Sequence, residues 1–221
     1  AQDTIVQPKV YALNKNNMWV PAQDPIHFDK KVAGVGLGRT FGIEMAKANP
    51  NTNIGLIPCA VGGSPIDAWQ PGEYHKQTET HPWDDMEKRL KIALKGGTLK
   101  GILWHQGESD SNPAKCNEYE AKLKDLIQRV RILGDNPDAP FVAGEFGRFK
   151  LKSNKGKYPE LKPSPAKIVM QSTKRVIKKD KNAALVKSKG LNHKGDNTHF
   201  DAESYREFGL RYAKAMLKLQ K

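Results

Sequence analysis

The chain has 221 residues, of which 28% are charged and 38% hydrophobic, and its formal net charge at pH 7 is +13. This length fits one α/β domain of ordinary size, and this composition excludes a collagen, a coiled coil and a wholly disordered chain. No apolar run approaches the roughly 18 residues that span a bilayer, so we expect no membrane partner. The two cysteines, Cys59 and Cys116, are too few for a disulfide scaffold and too far apart for a close-spaced metal site.

The positive charge is concentrated in one lysine-rich stretch, residues 148–189. This stretch holds fourteen Lys and Arg residues against two acidic residues, Glu160 and Asp180, whereas the rest of the chain is close to neutral. A nucleic-acid-binding domain would not confine its charge in this way and would place aromatic side chains between the charges. We therefore expect no nucleic-acid partner. A solvated lysine-rich face is the favoured interpretation, and contact with an acidic polysaccharide or another polyanion is the alternative.

From Ile54 onward, buried apolar runs alternate with segments of helical periodicity. The predicted strands are 54–61, 101–105, 140–144 and 183–186, and the predicted helices are 39–48, 84–95, 119–133, 166–179 and 202–219. Strands that are apolar on both faces and alternate with helices indicate a parallel sheet covered on both sides. We see no internal repeat and no linker, so the prediction is one α/β domain over residues 1–221.

Functional residues of such a sheet collect in the loops that follow the carboxyl ends of its strands. This rule selects segments 62–65, 106–110 and 191–199. A glycine-rich segment elsewhere, 34–38, fails the dinucleotide fingerprint because Phe41 stands where its third glycine would be. We expect no metal and no cofactor, since His193 and His199 are six residues apart and no Cys/His pair completes a ligand set.

Two of the selected loops carry groups suited to acyl transfer. Asp196 precedes His199 by three residues, so its carboxylate can fold back onto the imidazole and stabilise its protonated form. The side-chain amide of Gln106 and a backbone N–H at Gly62 or Gly63 could donate to a developing oxyanion. Taken alone, the Asp-x-x-His spacing is also typical of an ordinary loop that caps the last helix.

Segments 59–66, 105–110 and 196–199 together strongly resemble the SGNH-hydrolase superfamily. Within it they are most similar to the carbohydrate esterases that include sialate O-acetylesterase-like proteins and carbohydrate esterase family 6 acetylxylan esterases. The resemblance covers essentially the whole chain. It implies a three-layer α/β/α flavodoxin-like fold with a central parallel sheet, and a metal-free serine esterase that removes O-acetyl groups from carbohydrate through an acyl-enzyme.

The resemblance also implies a role for each site residue. His199 corresponds to the general base and Asp196 to its orienting carboxylate, with Glu108 as a second candidate for the acid. Gln106 corresponds to the side-chain oxyanion donor, and Gly63, with Gly62 as the alternative, to the backbone donor.

The nucleophile is where the sequence departs from the family. The family's serine lies in a Gly-Gln-Ser-Asn block at the end of a central first strand, and this chain has no such block. We expect the strand and its nucleophile to belong to an N-terminal segment absent from the sequence, because the strands at Ile54 and Leu103 would otherwise leave unpaired edges beside each other. Ser64 is the fallback nucleophile, and Ser109 is a weaker one.

Two other functions stay open beside the carbohydrate esterase. One is another SGNH acyl hydrolase, such as a lipase or thioesterase. The predicted pocket-forming segments contain Trp69, Trp83 and Trp104, which suit sugar stacking better than acyl chains and so speak against this alternative. The other is a non-catalytic carbohydrate-binding relative. Because such esterases act on polysaccharides, we expect a secreted or periplasmic protein.

Overall fold

The computed structural model of the protein describes residues 5–221. Its strands are β1 (Val10–Leu13), β2 (Trp19–Pro21), β3 (Ile54–Leu56), β4 (Ile102–Trp104), β5 (Phe141–Gly144) and β6 (Ala183–Val186). Its α-helices are α1 (Leu37–Ala48), α2 (Pro82–Ala93), α3 (Tyr119–Leu133), α4 (Arg148–Lys157), α5 (Pro165–Lys179) and α6 (Ala202–Leu219), and a short 3-10 helix covers Ile66–Trp69. Within this range, no helix has the length and apolar character needed to cross a membrane.

The six strands form two three-stranded sheets. In the first, β1 lies between β2, which is antiparallel to it, and β3, which is parallel to it. The second is wholly parallel, in the order β4-β5-β6. Over residues 5–221, β3 pairs only with β1 and β4 only with β5, so these two strands are not paired with each other. This agrees with the expectation that they do not pair directly; that an additional strand occupies the space between them stays a prediction.

Helices cover both faces of the sheets because the strand side chains alternate between two cores. Ile102 and Trp104 of β4 pack with residues of α2, α3 and α5, whereas Leu103 packs with residues of α1 and α6. In β5, Phe141 joins the first of these cores and Val142 the second. The predicted three-layer α/β/α architecture with a parallel sheet is thereby confirmed.

Helices α1 and α6 approach each other closely at Gly209. A Cβ atom added there would lie 2.6 Å from the carbonyl oxygen of Leu37, 2.7 Å from Cβ of Thr40 and 3.1 Å from the amide nitrogen of Phe41. Two of these three atoms belong to the backbone, so they could move only if the helices separated. Gly209 therefore sets the distance between the two helices on this face.

Some elements differ from the sequence predictions. The strand predicted over 54–61 ends at Leu56, and the residues up to Val61 run as irregular backbone towards the predicted site. The hairpin of β1 and β2 was not predicted; in its turn, the side chain of Asn14 accepts hydrogen bonds from the backbone amides of Asn16 and Met18. Helix α4 was not predicted either, because its sequence lacks a continuous apolar stripe.

Candidate active site

The loops after β3 and β4 are hydrogen-bonded to each other at the carboxyl edge of the sheets. Gln106 Nε2 donates to the carbonyl oxygen of Ser64 at 2.9 Å, and Ser109 Oγ donates to that of Gly63 at 2.7 Å. The carboxylate of Asp110 accepts the backbone N–H of Ile66 at 3.0 and 3.1 Å. Segments 62–65 and 106–110, which the sequence predicts as parts of one site, are thus in direct contact.

Asp110 is the centre of this contact, and sequence reasoning gave it no role. Its side chain is fully buried, and one carboxylate oxygen accepts a hydrogen bond of 2.6 Å from Gln106 Nε2. Burial raises the pKa of the Asp110 carboxyl, while the bonds from Gln106 and Ile66 act in the opposite direction. The only sequence signal was the density of polar residues after a buried strand, since Ile66 lies 44 positions away.

Gln106 is held in one orientation by its neighbours. Its amide nitrogen donates to both Ser64 and Asp110, and its Oε1 accepts the Tyr119 hydroxyl at 3.0 Å. An amide nitrogen has two N–H groups, so Gln106 could bind an oxyanion only by exchanging one of these bonds. The predicted oxyanion role of Gln106 therefore stays a prediction; what the structure shows is a residue that joins the two loops.

The two glycine amides predicted as oxyanion donors have different surroundings. The Gly62 N–H donates to Asp29 Oδ2 at 2.7 Å. Gly63 has φ +83°, a left-handed conformation that favours glycine. Its carbonyl accepts a bond from Ser109 Oγ. Burial and the nearby Lys30 lower the pKa of His75, and the backbone of Gly63 opposes that shift. Of the two amides, that of Gly63 is the better candidate donor, because the Gly62 N–H is already bonded to the Asp29 carboxylate.

The structure speaks against Ser64 as the fallback nucleophile. Its side chain is 2% exposed. Its Oγ donates to the carbonyl oxygen of Val61 at 2.8 Å and accepts from Trp69 Nε1 at 3.0 Å. A hydroxyl buried and bonded in this way cannot reach a substrate, so Ser64 is a structural residue of the loop. Ser109 Oγ, the weaker candidate, is likewise bound to the carbonyl of Gly63.

Asp196 and His199 form the close pair that their spacing predicts. Asp196 Oδ2 lies 2.6 Å from His199 Nδ1, and Oδ1 accepts the backbone N–H groups of Thr198 at 2.9 Å and His199 at 2.8 Å. Although burial opposes the charge, these hydrogen bonds hold the pKa of the Asp196 carboxyl well below its usual range. With Nδ1–H directed at a carboxylate, the lone pair that can accept a proton is on His199 Nε2.

The loop that carries this pair is closed by its own backbone and by His193. Lys194 N donates to the carbonyl oxygen of His199 at 3.1 Å, and His193 Nδ1 accepts the amides of Gly195 and Asn197. The imidazole of His193 therefore organises the turn. This is a local framework that places His199 at the surface, with 60% of its side chain exposed.

Glu108, the second candidate for the acid, lies beside a different histidine. Its Oε1 is 3.8 Å from Nε2 of His105, whose pKa is lowered by burial although Glu108 opposes that shift. The His105 ring also lies 5.7 Å from that of Phe200, the residue after His199, so the loops after β4 and β6 are neighbours. The geometry thus favours Asp196 over Glu108 as the residue that orients His199.

The tryptophans do not have the sugar-stacking role that the sequence suggested. Trp69, Trp83 and Trp104 are 6%, 5% and 8% exposed and belong to the core. Trp69 and Trp104 pack edge to face with their ring centroids 5.4 Å apart. Buried rings cannot bind a sugar, so this argument against a lipase or thioesterase fails.

A three-layer α/β/α domain with these three loops at one edge of its sheets is consistent with a carboxylic ester hydrolase. A family model described as carbohydrate esterase, sialic acid-specific acetylesterase, matches residues 1–218. The chain belongs to this carbohydrate esterase family, and the resemblance seen in its sequence is confirmed.

Individual relatives agree with this assignment. A protein named probable carbohydrate esterase from Arabidopsis thaliana is 29% identical over 215 residues, which cover 94% of this chain and 74% of that protein. An Arabidopsis thaliana crystal structure is similar with a TM-score of 0.82 at 29% identity, covering 99% of this chain and 84% of that one. A carbohydrate acetylesterase from Xanthomonas citri has the same fold, with a TM-score of 0.68 at 18% identity over 96% of this chain and 48% of its own.

Proposed function

We propose that the protein removes O-acetyl groups from carbohydrate hydroxyls through an acyl-enzyme. The observation that carries this proposal is the 2.6 Å contact between Asp196 and His199, placed next to the loop after β4. A carboxylate bound to Nδ1 stabilises the imidazolium that forms when Nε2 accepts a proton. This is the general base that an activated serine requires.

The nucleophile, we propose, is a serine on a strand between β3 and β4. Each of these strands is paired on one side only within residues 5–221, and the loops that follow them are in contact through Gln106 and Ser109. A strand inserted between them would pair with both free edges, and its carboxyl end would point to these loops. Backbone N–H and C=O groups in a domain interior need such partners.

The reaction would then have two steps. The serine oxygen attacks the acetyl carbonyl carbon as its proton moves to His199 Nε2, and the Gly63 N–H donates to the oxyanion that forms. The imidazolium returns the proton to the departing sugar oxygen, which leaves the acetyl group on the serine. Water activated by the same imidazole then hydrolyses this ester and releases acetate.

A fluorophosphonate probe tests this proposal because it labels an activated serine covalently. The intact protein should react with the probe, lose acetate release from acetylated xylan and acetylated sialic acid, and yield a labelled serine in a peptide assigned to the strand between β3 and β4. The His199→Ala variant is the control and should not be labelled. A label on Ser64, or a preference for long-chain fatty acyl esters over acetyl esters, would contradict the proposal.

A further inference from the structure

A polar cavity of about 270 Å³ lies between the loop after β4 and helix α4, and none of the steps above uses it. Glu108 and Ser109 line it on one side, and Lys150 and Lys157 line it on the other. Ser109 is also the residue that donates to the carbonyl oxygen of Gly63. The cavity therefore begins at the edge of the candidate active site, where the part of a substrate beyond its acetyl group would lie.

The side of α4 that lines this cavity is polar: Asn154 is buried and Lys150 half-buried, whereas Ser153 and Lys157 are exposed. Its members, Lys150, Ser153, Asn154 and Lys157, are spaced i, i+3, i+4 and i+7, so they lie on one side of the helix. The apolar neighbour Leu151 packs instead against the core.

Asn154 fixes this helix against the loop after β4. It is 6% exposed, its Nδ2 donates to the carbonyl oxygen of Ser111 at 2.8 Å, and its Oδ1 accepts the N–H of Ala166 at 2.9 Å. Ser111 in turn donates through Oγ to the carbonyl oxygen of Gly107. The two walls of the cavity are therefore joined by buried hydrogen bonds and are in place before any ligand binds.

The lysines of this cavity lack protein counter-ions in the part of the chain that the structure describes. No carboxylate of residues 5–221 lies within 4.0 Å of the ammonium group of Lys150 or Lys157. Lys157 only contacts the ring of Tyr158, at 5.3 Å from its centroid. The cavity is thus lined by two lysines and by one acidic residue, Glu108, and its volume is large enough for part of a sugar ring.

We propose that this cavity binds an anionic substituent, a carboxylate or a sulfate ester, on the sugar that carries the acetyl group or on the sugar next to it. The proposal rests on the proposed carbohydrate esterase activity and adds a charge preference to it. Lys150 and Lys157 supply charge-assisted hydrogen bonds to the anion, and the Tyr158 hydroxyl supplies a further donor. Glu108, on the opposite wall, repels the anion from the acetyl-binding side and so orients the sugar.

Four acetylated methyl glycosides test the proposal by their kcat/KM values: a glucoside, a glucuronoside, the methyl ester of that glucuronoside, and a 6-sulfoglucoside. We expect the intact protein to prefer the charged substrates, and the double variant K150Q/K157Q to reduce that preference about tenfold, as for two partly exposed charge-assisted contacts. The double variant K152Q/K155Q removes the same charge from positions of the same helix that do not line the cavity, and it should keep the preference. Preference for only the glucuronoside or only the sulfoglucoside identifies the anion.

A binding measurement separates this proposal from the proposed activity. Deacetylated methyl glucuronoside, methyl 6-sulfoglucoside and methyl glucoside are titrated into the His199→Ala protein and followed by NMR, so no turnover is needed. At least one anionic glycoside should bind more tightly than the neutral one, and K150Q/K157Q should abolish the difference. Equal binding of all three, or equal loss in K152Q/K155Q, would overturn the charge preference even if the protein is an active esterase. Anion binding without hydrolysis of any ester would instead overturn the proposed activity.

Discussion

The loop after β4 and the loop after β6 form the two sides of the candidate site, and they are held in place by different kinds of contact. In the first, Asp110 is fully buried and bonded to Ile66 and Gln106. In the second, Asp196 and His199 are bonded to each other and to their own backbone, and 60% of the His199 side chain is exposed. The proposed oxyanion side is thus fixed by contacts between distant residues, and the proposed base side by contacts within four residues. Substitutions on the proposed base side should therefore change catalysis with only a small effect on stability, whereas those on the proposed oxyanion side should change stability more strongly.

The largest expected effect is that of His199→Ala. Removing the proposed general base should reduce hydrolysis of an aryl acetate by about 10³-fold or more. Because the imidazole is exposed, the melting temperature should stay within about 2 °C of the wild-type value. Steady-state kinetics and differential scanning calorimetry measure the two quantities. Hydrolysis that survives nearly intact would show that the base lies elsewhere.

The next largest effect separates the two candidate acids. Asp196→Asn should lower kcat by about 10²–10⁴-fold, because the amide no longer stabilises the imidazolium on Nδ1. Glu108→Gln should cost roughly tenfold or less, since its neighbour is His105, at 3.8 Å, and not the base. Comparison of kcat for the two variants on the same aryl acetate decides between them. The reverse order would transfer the role to Glu108.

Ser64→Ala should change stability and leave the chemistry in place. The substitution removes the hydroxyl that Trp69 Nε1 donates to, and leaving that buried donor unpaired should cost about 1–3 kcal/mol in the free energy of unfolding. Urea denaturation measures this cost, and an aryl acetate assay measures the activity. Complete loss of hydrolysis in a protein that is still folded would restore Ser64 as a nucleophile.

The smallest effect is on the pH dependence of stability, to which Asp196 and Asp110 should contribute in opposite directions. The pKa of Asp196 is below its usual 3.8 in the folded protein, so its contribution to stability is present above that value and is lost as the pH falls further. The pKa of Asp110 is raised, so its contribution has the opposite sign: it is present below 3.8 and lost as the pH rises through the folded-state pKa.

Urea denaturation between pH 6 and pH 3 of the wild type and of Asp196→Asn tests this difference. The stability advantage of the wild type should shrink on acidification, by about 1 kcal/mol or less because the pair is partly exposed. Asp110→Asn serves as the comparison and should not show that trend. An advantage of the wild type over Asp196→Asn that grows as the pH falls would contradict the assignment.

Sequence reasoning succeeded where structure depends on neighbouring residues. The periodicity of Leu123, Leu126, Ile127 and Val130 predicted α3 with its observed bounds, and the three-residue spacing predicted the contact between Asp196 and His199. A pattern of this kind extends over a few turns of chain, and the physical interaction has the same range.

It failed where the interacting groups are far apart in the chain. Asp29 and Gly62 are 33 positions apart, and nothing in the sequence indicates that the Asp29 carboxylate accepts a hydrogen bond from the Gly62 N–H. Trp69, Trp83 and Trp104 were interpreted as suited to sugar stacking because they lie in the segments predicted to form the pocket, but the core between α2, α3 and α5 buries them. Helix α4 was missed because the side that lines the polar cavity carries lysine, serine and asparagine, so the sequence shows no continuous apolar stripe.

Helices α1 and α6 approach each other closely at Gly209. We therefore expect a larger residue at this position to reduce activity. One turn further along α6, the Tyr212 hydroxyl donates to the carbonyl oxygen of Trp104 at 2.9 Å and lies 3.3 Å from Nδ1 of His105. A side chain at 209 would push α6 away from α1 and move this tyrosine, and with it the end of β4. Homologues with alanine or serine there would need a compensating change in α1, and because Thr40 supplies the side-chain atom of this contact, residues 40 and 209 should vary together across the family.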